Sequence, residues 1–386
     1  MTQINYVFLC GISFPKGYAF TKRRKYVIDY LNEQNISSVS IQSRSDKDHI
    51  DNPYMGNYGI SNYVNTSYLW HKGFLGKFKF VKEIFFLLNK YFDKDKLNVI
   101  VFTTLMLEDL PFYIFAKLRG YKVFFETVEN NLAKGTRISL YGKISNLLTR
   151  KLFKKASGII VISTKLKQLV ASIAPKVPVC ILPNSAPLTV ISLKNKFNNP
   201  VRILYSGTFA QKDGVEFLIK GYLKFLECTN IKTELILTGD GNKNDMDALF
   251  ALTDNCPNIK YMGFLSDEEL EEMILKSDIL TMTRCNSEFA NYGFPFKLSE
   301  YLASGNTVLA TKVGDVPNYL KHKNNAYLIE SENIQDVVEA LSFLTLNEEK
   351  AIEIGKKGIT VVEQYFDVQK NGKLFVDFIK DCVHKN

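Results

Sequence analysis

One rhythm constrains this chain more than anything else. Short β-rich apolar runs alternate with amphipathic helical stretches, and the whole pattern occurs twice. In the first half the runs are Tyr6–Cys10, Val39–Gln42, Val99–Thr103, Lys122–Glu126, Gly158–Ile162 and Val179–Leu182. Helical patterns such as Thr21–Glu33, Gly76–Phe92 and Lys143–Lys155 lie between them. An Asn-rich polar stretch, Lys194–Pro200, interrupts the pattern and reads as a linker. The rhythm restarts with Val201–Ser206, Glu234–Thr238, Ile259–Met262, Ile279–Thr283, Thr307–Ala310 and Ala326–Ile329. Val215–Glu227, Asp267–Lys276 and Phe296–Ser304 supply helices between these, and the chain from Ile334 onward is helical with a break near Phe366–Asp367. Strand and helix in alternation imply a parallel sheet covered by helices. At 386 residues the chain is too long for one ordinary core and comfortable for two. We therefore expect an α/β protein of two Rossmann-like domains, residues 1–193 and 200–365, facing each other across a cleft. Residues 366–386 form a last helical stretch beyond that break.

Charge divides unevenly between the halves. Of the net +9, residues 1–198 carry +17 and residues 199–386 carry −8, so the two domains face different partners. The six cysteines are scattered without a C-x-x-C pair, and the four histidines form no H-E-x-x-H, which argues against a zinc site. Such cysteines suit a reducing compartment. No basic segment precedes the first apolar run, so that run reads as a strand and not as a signal peptide. No apolar run approaches the ~20 residues of a membrane span. A cytoplasmic protein is the expectation.

Ligands of open α/β sheets bind beyond the carboxyl ends of the strands, so the loops after strands are where chemistry belongs. The first such loop, Gly11–Phe20, carries Gly11 and Gly17. Lys22, Arg23 and Arg24 then open a helix against its dipole, which suggests a phosphate partner, although an ordinary turn explains the glycines equally well. The loop Tyr205–Gly214 offers backbone freedom at Gly207, a hydroxyl at Thr208 and a cation at Lys212. That is a workable diphosphate cradle, or else a turn with a surface lysine. Gly239 and Asp240 form a tight turn after the next strand, a weak signal by itself. The richest stretch is Asn291–Gly305. Asn291 and Gly293 fall in a loop, Pro295 fits a first helical turn, and Gly305 closes the helix. The free N–H groups near Phe294–Leu298, among them those of Phe296, Lys297 and Leu298, can take a pyrophosphate. Glu300, three residues beyond Lys297 on the same face, can accept hydrogen bonds from a ribose diol. A Lys–Glu surface pair accounts for the same spacing.

The stretch Phe294-Pro-Phe-Lys-Leu-Ser-Glu-Tyr-Leu-Ala-Ser-Gly-Asn-Thr-Val-Leu-Ala310 resembles the donor-site helix of retaining GT-B glycosyltransferases of family 4. There the segment reads like F-P-x-K-L-x-E-Y-L-A-x-G-x-P-V-I-A. Looser pieces arrive in that family's order: the Gly17-x-Ala19 loop with Arg23, Gly158–Ser163, Leu182-Pro-Asn184, Tyr205–Gly214, Leu235–Gly241 and Met262–Leu270. The resemblance covers nearly the whole chain. It implies a GT-B fold in which the helix of residues 366–386 packs back on the first domain, with Glu300 on the nucleotide ribose, Lys212 on the diphosphate, and the backbone at Phe264 and Leu265 on the base. Two positions depart from the family. Thr208 stands where many relatives carry an arginine, a loss that Lys297 can offset. Tyr292 stands where the first glutamate of E-x7-E is usual, so Asn291 or Tyr292 takes that place.

The resemblance further implies transfer with retention from a nucleotide-sugar co-substrate, a UDP- or GDP-sugar, without a metal or a bound cofactor. Lys212, Lys297 and Glu300 are the residues expected to carry catalysis, the lysines by meeting charge on the leaving diphosphate. Arg23 and Glu126 or Glu129 would lie on the acceptor side. The acceptor would be a glycan or a lipid-linked glycan, as in surface polysaccharide or lipopolysaccharide assembly. Tyr68–Phe86 and Lys143–Lys155 mix cations with apolar residues, which suits peripheral contact with the anionic inner face of the cell membrane. No nucleic-acid module pattern is present. A GT-B sugar-nucleotide epimerase and a catalytically weak membrane scaffold are the rival readings.

Overall fold

The computed structural model describes residues 3–17, 19–43, 52–66, 73–103, 109–129, 140–188, 191, 194–253 and 255–384. It divides into two compact units, Met1–Pro183 with Val368–Asn386, and Asn184–Asp367.

The first unit holds β1 (Ile4–Cys10), β2 (Ser38–Gln42), β3 (Met55–Tyr58), β4 (Ser61–Asn65), β5 (Leu97–Thr103), β6 (Lys122–Thr127), β7 (Gly158–Val161) and β8 (Val179–Ile181). Their order in the sheet is β3-β4-β2-β1-β5-β6-β7-β8. All pairings are parallel except the hairpin of β3 with β4, whose turn places Gly59 at φ +61°. Central strands β1 and β5 are buried along almost their whole length, as near-continuous apolar strands covered on both faces must be. The helix Val368–His384 packs on the helix Ala19–Glu33 and adds Phe375, Ile379 and Cys382 to the core that contains Phe8 and Phe124.

The second unit holds β9 (Val201–Thr208), β10 (Thr233–Asp240), β11 (Ile259–Tyr261), β12 (Ile279–Met282), β13 (Thr307–Thr311) and β14 (Tyr327–Ile329). The order is β11-β10-β9-β12-β13-β14, all parallel. The chain steps outward from β9 to β11, then jumps back to β12 on the other side of β9. The order therefore reverses between β9 and β12, and a crevice opens beyond their carboxyl ends.

The stretch Lys194–Pro200, read as a linker, is instead tied into the second unit. Lys194 Nζ lies 2.8 Å from Asp278 Oδ1, and Asn198 Nδ2 donates to both Asp278 carboxylate oxygens at 2.9 Å. The chain passes between units at Pro183–Asn184. A polar composition suggested a loose connection, but these polar groups satisfy one buried carboxylate.

Candidate functional site

The β9–β12 switch point gathers the second unit's polar side chains. Gly207 and Gly239 face each other across β9 and β10, with φ of +140° and +129°. A Cβ on Gly239 would stand 1.8 Å from the Gly207 carbonyl oxygen, so that position accepts no side chain. A Cβ on Gly207 would stand 2.6 Å from Lys297 Nζ. The ammonium of Lys297 thus lies against the bare backbone at the end of β9, 4.0 Å over the Tyr205 ring. Tyr205 is held there by its hydroxyl, which donates to the Thr208 carbonyl at 2.6 Å.

The loop after β9 turns through Gln211–Asp213 and closes at Gly214, φ +66°. The Thr208 hydroxyl donates to the Asp213 carboxylate. Lys212 Nζ lies 4.7 Å over the Phe289 ring. The loop after β12 is bound to this one. Cys285 N–H donates to the Lys212 carbonyl at 2.9 Å, and Thr283 Oγ1 donates to the Asp213 carbonyl at 3.3 Å. Between Thr283 and Cys285 stands Arg284. Its Nε and Nη1 are buried without a hydrogen-bond partner among the described residues. Lys212, Arg284 and Lys297 thus form a cation cluster with Asp213 as the carboxylate among them. Burial pushes the Lys297 ammonium down to about 8; Asp213 opposes the shift, and Arg284 and Lys212 add to it.

The helix Phe296–Ser304 is capped by Pro295, at φ −66° and ψ 120°, and not opened by it as expected. No side chain caps this helix start, but the Leu298 N–H, expected to be free, donates to the Pro295 carbonyl at 3.3 Å, which leaves only the N–H groups ahead of it for another acceptor. Leu298 is buried, whereas Phe296 and Glu300 are half-buried. Tyr301 anchors the helix to β9: its hydroxyl accepts from Ser206 N–H at 3.0 Å and lies 2.9 Å from Ser206 Oγ.

Asn291 has a positioning role. Its Oδ1 accepts from Gly314 N–H at 2.8 Å and its Nδ2 donates to Asn286 Oδ1 at 2.7 Å, joining the loops after β12 and β13. It lies with half-buried Tyr292 in the short helix Glu288–Tyr292, which ends at Gly293. The loop after β11 is fastened to β10, since the Gly263 carbonyl accepts from Gly239 N–H at 2.9 Å and from Thr238 Oγ1 at 2.7 Å. Phe264 stands 62% exposed in this loop, next to half-buried Leu265, and Asp240 at the end of β10 is exposed.

Arg23 and Glu126, expected on the acceptor side, are engaged with each other inside the first unit. Glu126 is buried at the end of β6, where Arg23 Nε donates to Oε1 at 2.8 Å and Arg24 Nη2 to Oε2 at 2.5 Å. Arg23 also donates to the carbonyls of Leu182 and Pro183, both at 2.8 Å. Burial alone would raise the Glu126 pKa, but Arg24 and then Arg23 outweigh it and hold the carboxyl at about 2. The two arginines at the helix start turn inward to this carboxylate, which is their reason for opposing the helix dipole. Gly17 lies where a Cβ would meet Thr21 Oγ1 at 2.1 Å, so it serves a tight turn onto that helix. Glu129 is half-buried, and its carbonyl accepts from Thr127 Oγ1 at 3.0 Å. Of the lysine-aromatic stretch, residues 68–72 lie outside the described residues.

Arg284 escaped the reading of the sequence. A lone arginine two residues beyond a strand matches no motif, and only the strand order shows that this strand flanks the switch point.

Residues 191–361 match the family model for glycosyl transferases group 1. Two uncharacterized glycosyltransferases of Methanocaldococcus jannaschii are similar to the chain. One is 25% identical over 137 residues, 34% of this chain and 32% of the relative; the other is 21% identical over 290 residues, 70% and 72%. The matched stretch is thus about a third of the first relative's length. Among solved structures, sucrose-phosphate synthase from Thermosynechococcus elongatus superposes with a TM-score of 0.77 at 13% identity, covering 100% of both chains. HepE of Anabaena, in complex with UDP and glucose, gives 0.74 at 13% identity over 97% of this chain and 99% of its own. The lipopolysaccharide outer core galactosyltransferase WaaB gives 0.66 at 18% identity over 98% and 99%. The fold is that of GT-B glycosyltransferases.

Proposed function

We propose that the chain is a retaining glycosyltransferase that binds a UDP-sugar at the carboxyl ends of β9 and β12. The cation cluster of Lys212, Arg284 and Lys297 carries this reading, because it lies beside an uncapped helix start inside the stretch that matches the family model. The diphosphate sits against the three cations, Glu300 takes the ribose hydroxyls and the exposed Phe264 ring lies along the base. As the bond from the anomeric carbon to the diphosphate oxygen breaks, charge grows on that oxygen. Fixed cations and N–H groups meet it without reorganising. The acceptor hydroxyl attacks from the same face and gives its proton to the departing phosphate, which retains configuration. The cations do this work without a metal. The complex of HepE with UDP and glucose supports uridine as the nucleoside. The likeness to WaaB supports a glycan or lipid-linked acceptor, as in surface polysaccharide assembly.

Calorimetric titration with UDP, GDP and 2′-deoxy-UDP tests the reading. We expect UDP to bind, 2′-deoxy-UDP to bind more weakly, and Glu300→Ala to erase that difference. Binding of none of them at millimolar concentration, or an unchanged preference in Glu300→Ala, overturns it.

A further inference from the structure

The first unit carries an exposed face that the donor site does not use. Three of its helices, Gly73–Lys90, Leu110–Arg119 and Leu140–Phe153, lie side by side. Phe85 of the first stacks on Phe115 of the second, centroids 4.8 Å apart. Phe125 of β6 touches both Tyr113 of the second, at 6.1 Å, and Phe153 of the third, at 5.4 Å, so both cover the same side of that strand. The opposite side of β6 belongs to the C-terminal helix, through Phe124 and Phe378 at 6.1 Å.

The outward surfaces of these helices are unusually apolar. Phe74, Phe78 and Phe86 are 86%, 67% and 63% exposed, Leu118 84%, Leu140 75% and Leu147 58%. Phe74, Phe78, Lys82 and Phe86 follow one another at intervals of four, a single stripe along the first helix. Single exposed apolar residues need no explanation, but a patch shared by three adjacent helices does. Its charge names the partner. The three helices carry four, two and three cationic side chains in turn, against one carboxylate, Glu83. Long lysine stems bury their methylenes beside phenylalanine while the ammonium reaches outward. Among the described residues no helix is long and apolar enough to cross a membrane.

We propose that this three-helix face docks on an anionic lipid surface, lying in the interface with its phenylalanines among acyl chains and its lysines on headgroup phosphates. The proposal is independent of the donor site, which belongs to the other unit.

Cosedimentation of the full chain with phosphatidylglycerol–phosphatidylcholine vesicles, and with phosphatidylcholine alone, tests it. We expect binding to the anionic vesicles, little to the neutral ones, and release by salt. Phe74→Ser with Phe78→Ser, both at exposed positions, should weaken partitioning about tenfold or more. Lys79→Gln with Lys82→Gln should weaken it by roughly tenfold or more, since each cation near such a surface is worth about 1 kcal/mol. Thermal melting at the wild-type temperature and unchanged UDP affinity show that the variants are folded. The proposal fails if the wild type ignores anionic vesicles at low salt. It fails equally if the phenylalanine variant binds them as well as the wild type, or if the face instead joins two copies of the chain in solution and stays dry in the presence of vesicles.

Discussion

Lys297 gives the sharpest test of the proposed donor site, because its charge changes within an accessible pH range. Burial holds its ammonium at about 8 in the free protein. A diphosphate beside it favours the protonated form, so binding and protonation are linked. The sign follows directly. Below pH 8 the lysine is already charged and binding needs no proton; above pH 8 binding must first recharge it, and affinity falls. At pH 7 roughly nine-tenths of the molecules carry the charge, and at pH 9 roughly one-tenth. The Kd for UDP should therefore rise about tenfold between those values, roughly 1.4 kcal/mol. The terminal phosphate of UDP, with a pKa of about 6, is ionised throughout and adds no slope. Calorimetry at pH 7, 8 and 9 in buffers of different ionisation heat reads both affinity and proton uptake, which should approach one proton per UDP at pH 9. Lys297→Gln should bind more weakly at pH 7 and show no slope. A flat wild-type profile, or the same slope in Lys297→Gln, refutes the placement of this lysine on the diphosphate.

Arg284→Met should trade binding for stability. Losing a charge-assisted contact weakens UDP by roughly tenfold or more, while removing two buried unpaired N–H groups raises Tm in a melting curve. Gly239→Ala should abolish UDP binding in the same calorimeter, because its Cβ collides with the Gly207 carbonyl. Glu126 should dominate the acid limb of stability. Its folded pKa of about 2, against about 4.3 when unfolded, contributes about 3 kcal/mol that is present above pH 4.3 and lost as pH falls toward 2. Denaturant unfolding of Glu126→Gln should show that loss at pH 7 and a flatter acid limb.

What the sequence revealed and what it hid have physical causes. Buried parallel strands such as β1, β5 and β12 are mostly apolar, so the chain announces them without its partners. The hairpin of β3 and β4 went unseen because MGNY and SNYVN hold too few apolar residues to mark a strand. The loop cations were visible by type but not by destination. Lys297 and Lys212 turn toward the switch point, whereas Arg23 and Arg24 turn into the core toward Glu126, and nothing local distinguishes the two fates. Asn198 misled in the same way, since Asp278, the carboxylate it serves, is 80 residues away in sequence.

The order in which the two units can be completed on the ribosome is reversed from the usual one. The second unit is one uninterrupted stretch, Asn184–Asp367, whereas the first needs Val368–Asn386 to fill its core with Phe375 and Ile379. Domains made first generally fold first. Here the earlier-made sheet waits, with part of its apolar surface uncovered, until the last helix emerges. The second unit can mature before the half that precedes it in the chain is finished.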